Sequence, residues 1–385
     1  MISFKVSAPG KVILFGEHAV MYGKTALAAS LDLRTNLKFQ ELQEVEKIMK
    51  LNFHNINLVV NVPIQRIQTY ISIYKSHQLE NNHDNFYDHI QQFVHDIGYN
   101  NPHQKLSLEA FFYLLIYVSN KEEIDVKPAE INLNTELSIG AGLGSSASFA
   151  VCLSACFLHW SRLQKNIYKT LDIIDLKLIS KYAFECEKIL HGTPSGIDNS
   201  ICTYGSIIEF RKNNCMNSIL NVKKMKILLV DTRVQRSTKT IIDKSTKLKC
   251  MYPTVIDSIM DSIDNISKEA LKILKQDTNQ IQNNSKRKCE EYEEYNQLMM
   301  LININQSLLA ALQTSHSSLD RICAEAQNYG FGAKLTGAGG GGHAFVLLPP
   351  DTQPEIISSI SRKLIADGYC VTLTSLGGVG VSIDE

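Results

Sequence analysis

The sequence predicts an α+β protein of two domains. Short strand-like runs crowd the start of the chain, and long amphipathic helices dominate after about residue 225. The 385-residue length, at roughly 100–200 residues per domain, leaves room for two cores. The expected division is 1–225 and 226–385, with no internal repeat.

Lys5–Ser7, Lys11–Phe15 and Ala26–Phe39 read as strands, separated by Pro9-Gly10 and Tyr22-Gly23. Residues 46–62 continue the pattern through Val59-Val60. A polar stretch, 75–104, rich in Asn, Gln and His, reads as a helical surface insert. His77, His83, His89 and His95 are evenly spaced within it, but that spacing scatters side chains around a helix instead of stacking them as i,i+4 ligands do. Leu106–Val118 is a buried helix, Glu130–Leu137 a strand, Ser145–Trp160 an apolar helix and Leu176–Leu190 another. Strand character returns at Ile207–Phe210 and Lys226–Asp231, followed by helices over 236–247, 253–275 and 289–312. Strands at Ala333–Thr336 and Ala344–Leu348 flank a run of glycines, and a helix (353–367) and a strand (369–375) close the chain.

Composition excludes several classes. Thirty-nine basic side chains balance thirty-nine acidic ones, which argues against a general polyanion binder such as a nucleic-acid protein. Nine cysteines with no CxxC pair read as reduced thiols, and Cys152 and Cys156 as core packing on one helix face. The opening residues lack a secretory signal. The longest aliphatic-aromatic block, Phe111–Val118, falls far short of the roughly 18 apolar residues of a membrane span. The last residues are not the peroxisomal Ser-Lys-Leu. A cytoplasmic protein without membrane partners is the expectation.

Three glycine-rich segments compete for a phosphate-binding role. Ile139-Gly-Ala-Gly-Leu-Gly-Ser-Ser-Ala-Ser148 lies between a strand and a helix, where free backbone N–H groups and the positive helix end can hold phosphate oxygens. Ser145 and Ser146 add hydroxyls for a phosphate or a metal, and the bland alternative is a tight turn with a serine cap. Gly23-Lys24-Thr25 imitates the end of a Walker loop, but His18 stands where the first glycine belongs and a β-like run follows. Gly337-Ala-Gly-Gly-Gly-Gly342 satisfies GxGxxG, yet a strand follows where a dinucleotide fold needs a helix. Its glycine density suggests close backbone approach to a ligand.

Ionisable residues narrow the chemistry. On the 176–190 helix, at about 100° per residue, Glu185 falls among Lys177, Lys181 and Lys188, whereas Glu187 falls among Leu176, Ala183, Phe184 and Leu190. A carboxylate on an apolar stripe needs a cation or strong donors, so Glu187 is the metal-ligand candidate, with a buried ion pair as its alternative. Asp198, at the end of the turn-rich His191-Gly-Thr-Pro-Ser-Gly-Ile-Asp, reads either as a base for a substrate hydroxyl or as a helix cap. Lys11 reads as a snorkelling strand lysine or, beside Asp198, as a stabiliser of a developing alkoxide. His18 could donate to a polar substrate or lie exposed.

The segments 8–28 (APGKVILFGEHAVMYGKTALA), 136–153 (ELSIGAGLGSSASFAVCL), 185–205 (ECEKILHGTPSGIDNSICTYG) and 334–348 (KLTGAGGGGHAFVLL) together resemble the GHMP small-molecule kinases, in particular their (R)-mevalonate-phosphorylating branch. Leu248–Ile322 is similar to the family's helical C-terminal part, while the 75–104 insert has no match. The resemblance implies a two-domain GHMP kinase fold, with an N-terminal α/β domain and a C-terminal α+β domain carrying long helices. It implies ATP as co-substrate, Mg²⁺ as cofactor and formation of 5-phosphomevalonate for isoprenoid synthesis. In this sequence Gly140, Ala141, Gly142, Leu143, Gly144, Ser145 and Ser146 would hold the triphosphate, and Ser146 and Glu187 the Mg²⁺. Asp198 would be the base, with Lys11 beside it and reaching the nucleotide. Asn55 and Thr135 match nucleotide-contacting positions, and His18, Arg236 and Thr238 acceptor-site positions, the arginine clamping a carboxylate. A homodimer and inhibition by isoprenyl diphosphates at the nucleotide site are further expectations. The alternatives are a relative acting on phosphomevalonate or galactose, or a non-catalytic sensor of the same fold.

Overall fold

A computed structural model describes residues 1–76, 83–192, 194–211, 217–219, 222–235, 238–276 and 284–384. The chain opens with β1 (Ser3–Phe15), β2 (Ala26–Glu41), β3 (Ile48–Phe53) and β4 (Leu58–Pro63). Then come α1 (Ile64–Ser76), α2 (His83–Ile97), α3 (Pro102–Lys121), β5 (Ala129–Thr135), α4 (Ser145–Gln164), α5 (Ile173–His191) and α6 (Ile197–Tyr204). After β6 (Ile207–Phe210), β7 (Asn217–Ile219) and β8 (Met225–Asp231), helices α7 (Thr238–Met251), α8 (Pro253–Gln276), α9 (Asn284–Ala311) and α10 (Ser317–Asn328) follow in succession. The chain ends through β9 (Gly332–Leu335), β10 (His343–Leu347), α11 (Pro354–Ala366), β11 (Cys370–Leu376) and β12 (Ser382–Asp384).

Local chemistry explains where the site-bearing elements begin. Asn101 caps α3 by accepting from Gln104 N at 3.0 Å, and Pro102 occupies the first turn, where a missing N–H costs nothing. Gln104 then donates to the carbonyls of Ile56 and Asn57, tying α3 to the short turn His54–Ile56 after β3. A capping box between Asp172 and Asp175 sets the start of α5, and Arg162 pairs with Asp175 from α4. The histidine series lies partly outside the described residues: His77 is not among them, nor is the side chain of His83.

The strands form one sheet, in the order β4-β3-β5-β2-β11-β8-β10-β9, with β1 pairing β2 and β12, and β6 pairing β2 and β7. Two large apolar clusters lie along it. One joins Phe4, Phe39 and Leu51 to Phe111, Phe157 and Cys152 under α3, α4 and α5. The other joins Val12, Leu14 and Leu27 to Leu228, Met260, Leu309 and Phe345. The expected pair of strands before Phe15 is one strand: β1 runs through Pro9-Gly10 with a register shift there, a bulge that accommodates proline's missing donor without ending the strand. Among the described residues no helix is long and apolar enough to cross a membrane.

Candidate active site

The inner part of β1 carries Lys11 with a side chain only 11% exposed, and its Nζ lies 3.1 Å from Asp198 Oδ1. Asp198 sits in the first turn of α6, whose N-cap is Gly196, so it is not the cap. Lys11 is also held through its backbone, its N–H donating to Leu143 O at 2.8 Å. The glycine loop is thereby docked onto the strand that carries the lysine.

Within that loop Gly140, Gly142 and Gly144 have φ of +74°, +79° and +76°, and Gly144 caps α4. These left-handed conformations favour glycine. At Gly144 a Cβ would also come within 2.9 Å of Lys11 Cγ. The loop borders a cavity of about 600 Å³ that Asp198, Thr238, Ser145 and Ser146 also line. Its far wall is apolar, built from Phe53, Ile56, Leu106, Ala110 and Phe149. Sequence reasoning missed this wall because its residues come from the end of β3, the turn after it, the α3 face and α4, and each reads locally as core.

Glu187 is 3% exposed on α5, while Glu185 pairs with Lys188 at 2.8 Å, the separation expected from helical geometry. Burial, reinforced by the charge of Asp198 and opposed by Lys11, pushes the Glu187 carboxyl up to about 8. Lys11, Asp198 and Glu187 thus form one electrostatically connected group beneath the glycine loop.

Two family models match the chain, the GHMP kinases N terminal domain over residues 111–206 and the GHMP kinases C terminal over residues 286–366. A mevalonate kinase of Mus musculus is 35% identical over 390 residues, covering 98% of this chain and 94% of the relative. One of Bos taurus is 34% identical, with the same shares covered. The chain belongs to the mevalonate kinase family. The crystal structure of the Methanococcus jannaschii mevalonate kinase matches with a TM-score of 0.70 and 26% identity, over 96% of this chain and 97% of that one.

The remaining family positions fall differently in this mevalonate kinase fold. Asn55 and Thr135 both line the cavity, but the Asn55 amide is engaged by the Thr135 backbone, donating to Thr135 O at 2.8 Å and accepting from Thr135 N at 2.7 Å, while the Thr135 hydroxyl pairs with that of Thr35 at 2.9 Å. Thr238 lines the cavity at the start of α7, and Arg236 lies outside the described residues. His18 is buried instead of exposed, its Nε2 lying 2.9 Å from Ala338 O in the C-terminal glycine run.

That glycine run has a reason within the protein. Its close approaches are to the protein itself: a Cβ on Gly339 would lie 1.9 Å from Thr314 O, one on Gly340 2.4 Å from Ile241, and one on Gly341 2.8 Å from Val234. Glycine density there lets the turn between β9 and β10 pack against α7 and the chain around Val234 and Thr314. By contrast, β2 follows Gly23-Lys24-Thr25 and β10 follows the run, the strands on which a Walker and a dinucleotide reading were set aside.

The donor set suits a hard divalent cation. Glu187 is buried within electrostatic reach of Asp198 and Lys11, and Ser146 and Asp198 line the same cavity. No three metal-ligating side chains converge among the described residues. Mg²⁺ does not require that: one or two carboxylates plus phosphate oxygens suffice.

Proposed function

We infer that the chain transfers the γ-phosphoryl group of ATP to the 5-hydroxyl of (R)-mevalonate, giving (R)-5-phosphomevalonate. The observation that carries this reading is the 3.1 Å Lys11–Asp198 pair beside a cavity that ends on a left-handed glycine loop. It occurs in a chain similar over nearly its whole length to mevalonate kinases.

Phosphoryl transfer passes through a loose transition state, so positioning and charge neutralisation do most of the catalysis. The backbone N–H groups of 140–146 and the N-terminus of α4 bind the phosphates, and the apolar wall receives the base. Asp198 accepts the hydroxyl proton as the new O–P bond forms, and the Lys11 ammonium stabilises the negative charge on the attacking oxygen. Glu187 and Ser146 would hold Mg²⁺, which when bound neutralises charge on the phosphate oxygens. His18, Thr238 and Arg236 complete the acceptor side in this reading. A cytoplasmic setting and the 1–225 and 226–385 division, the latter read from the change of texture near residue 225, belong to it as well; a homodimer and inhibition by isoprenyl diphosphates at the nucleotide site rest on the family resemblance.

The test is a steady-state assay of the purified protein with ATP, Mg²⁺ and a panel of (R)-mevalonate, phosphomevalonate and galactose. Turnover of mevalonate alone is expected. Turnover of galactose or phosphomevalonate without mevalonate, or of none of the three, overturns the reading.

A further inference from the structure

Beyond Lys11, the last third of β1 and the turn after it are fastened to β9 and its glycine run by contacts between residues about three hundred positions apart. Thr336 Oγ1 accepts from Ile13 N at 2.9 Å and lies 3.1 Å from Ile13 O, on the edge of β1 that no strand covers there among the described residues. Four residues on, Glu17 forms an ion pair with Lys334, and both side chains are at most 1% exposed. Lys334 also donates to Leu335 O at 2.7 Å and lies over the ring of Phe345. Asn305, from α9, is wholly buried, and its side-chain N–H donates to the second Glu17 oxygen at 3.2 Å, that side chain's one hydrogen bond among the described residues, where its Oδ1 has no partner. His18 follows immediately in a left-handed conformation, φ +60°, with Nε2 on Ala338 O.

This arrangement is more than a chance surface pair. A buried charge is costly unless it is paired and hydrogen-bonded, and a buried amide N–H needs an acceptor. Here a lysine and an asparagine from two separate C-terminal elements converge on one carboxylate. The residue next to that carboxylate is a non-glycine in a strained backbone region, which persists only where its surroundings hold it.

We propose that Lys334 and Asn305 are positioning residues: by anchoring Glu17 they hold His18 and the end of β1 against the C-terminal glycine run, and so shape the acceptor side of the site. The role rests on the acceptor-site reading given above. The nucleotide side is fastened separately, through Lys11 N to Leu143 O, so disturbing the anchor separates the two substrates kinetically.

The experiment compares the wild-type enzyme with Asn305→Ala, Lys334→Met and the double variant Glu17→Gln/Lys334→Met, the last removing both charges together. Melting temperature and separate KM values for ATP and (R)-mevalonate are measured for each. The wild-type assay judges the functional reading, and the variants judge only the anchor. The double variant is expected to melt close to wild type, keep its ATP KM, and show a mevalonate KM raised about tenfold or more. Asn305→Ala, which leaves the ion pair standing, should raise the mevalonate KM by a smaller factor and leave the ATP KM alone. A folded double variant with both KM values unchanged overturns the proposal. If neither Lys334 variant folds, Asn305→Ala decides: an unchanged mevalonate KM, or equal rises in both KM values, overturns it.

Discussion

Asp198 and Glu187 are carboxylates on adjacent helices with opposite requirements, and each makes its own prediction. Asp198 faces the cavity and touches Lys11, so Asp198→Asn should lower kcat by about 100- to 10,000-fold, the usual range for a general base. ATP binding measured by calorimetry should stay close to wild type, and near-normal turnover would refute the base assignment. Glu187 is buried, and Glu187→Gln should raise the Mg²⁺ concentration needed for half-maximal rate, whereas Glu185→Gln, altering a half-buried pair with Lys188, should not. Linkage supplies a third test. The Glu187 carboxyl titrates near 8 in the folded protein against 4.5 as the ordinary value, so between these pH values the native state binds more protons than the unfolded chain. Its contribution to stability is complete below pH 4.5 and lost as pH rises through 8. The melting temperature of the metal-free protein should therefore fall more steeply from pH 5.5 to 8.5 in wild type than in Glu187→Gln. Parallel curves would show that Glu187 is not the group responsible. Glu187 was legible because helical periodicity separates it from Glu185, and Asp198 because a turn-rich segment ends on it. Glu17 and Lys334 were not paired in advance, since no local pattern links residues 317 positions apart.

Among the elements, the 140–146 loop makes the sharpest claim. Gly140 and Gly144 share the left-handed backbone, but a Cβ at 140 meets nothing within 4 Å, whereas one at 144 meets Lys11 Cγ at 2.9 Å. Gly140→Ala should thus carry only the backbone strain, about 1–2 kcal/mol. Gly144→Ala should add displacement of Lys11, and its kcat should fall well below that of Gly140→Ala in the same assay. Equal kcat values would mean that the loop does not position Lys11. The loop was readable because glycines between a strand and a helix have a backbone reason to be there. The second glycine run carries an equally dense signal with a different cause: Thr314, Ile241 and Val234 crowd it, and none of them neighbours it in sequence. A glycine reports that something comes close, not what comes close.

For the molecule as a whole, the continuous sheet matters more than the change of texture near residue 225. The second apolar cluster is completed by Val12, Leu14, Phe15, Leu27, Ala29 and Leu31 from β1 and β2. A fragment comprising 226–385 lacks these residues and leaves uncovered the face of α8 that packs on β1 and β2 and the edge of β11 that pairs β2. Expressed alone it should fail to give a dispersed NMR spectrum or a cooperative melt, while the full chain does both. A cooperatively folding fragment would show that the cluster closes without β1 and β2. The helices of the second half were legible from amphipathic period alone. Their attachment to strands from the start of the chain was not, because β pairing of distant segments leaves no mark at either segment.

Spacing and residue type alone settled the strand–glycine loop–helix unit, the inward face of α5 and the presence of an acid after it, because helix and strand periods are local properties of the backbone. Tertiary packing decided which carboxylate meets Lys11, that His18 turns inward to Ala338, and that the C-terminal glycines touch protein. Those outcomes depend on through-space neighbours brought together when two apolar clusters close over one sheet, and desolvation and close contact act across space, not along the chain.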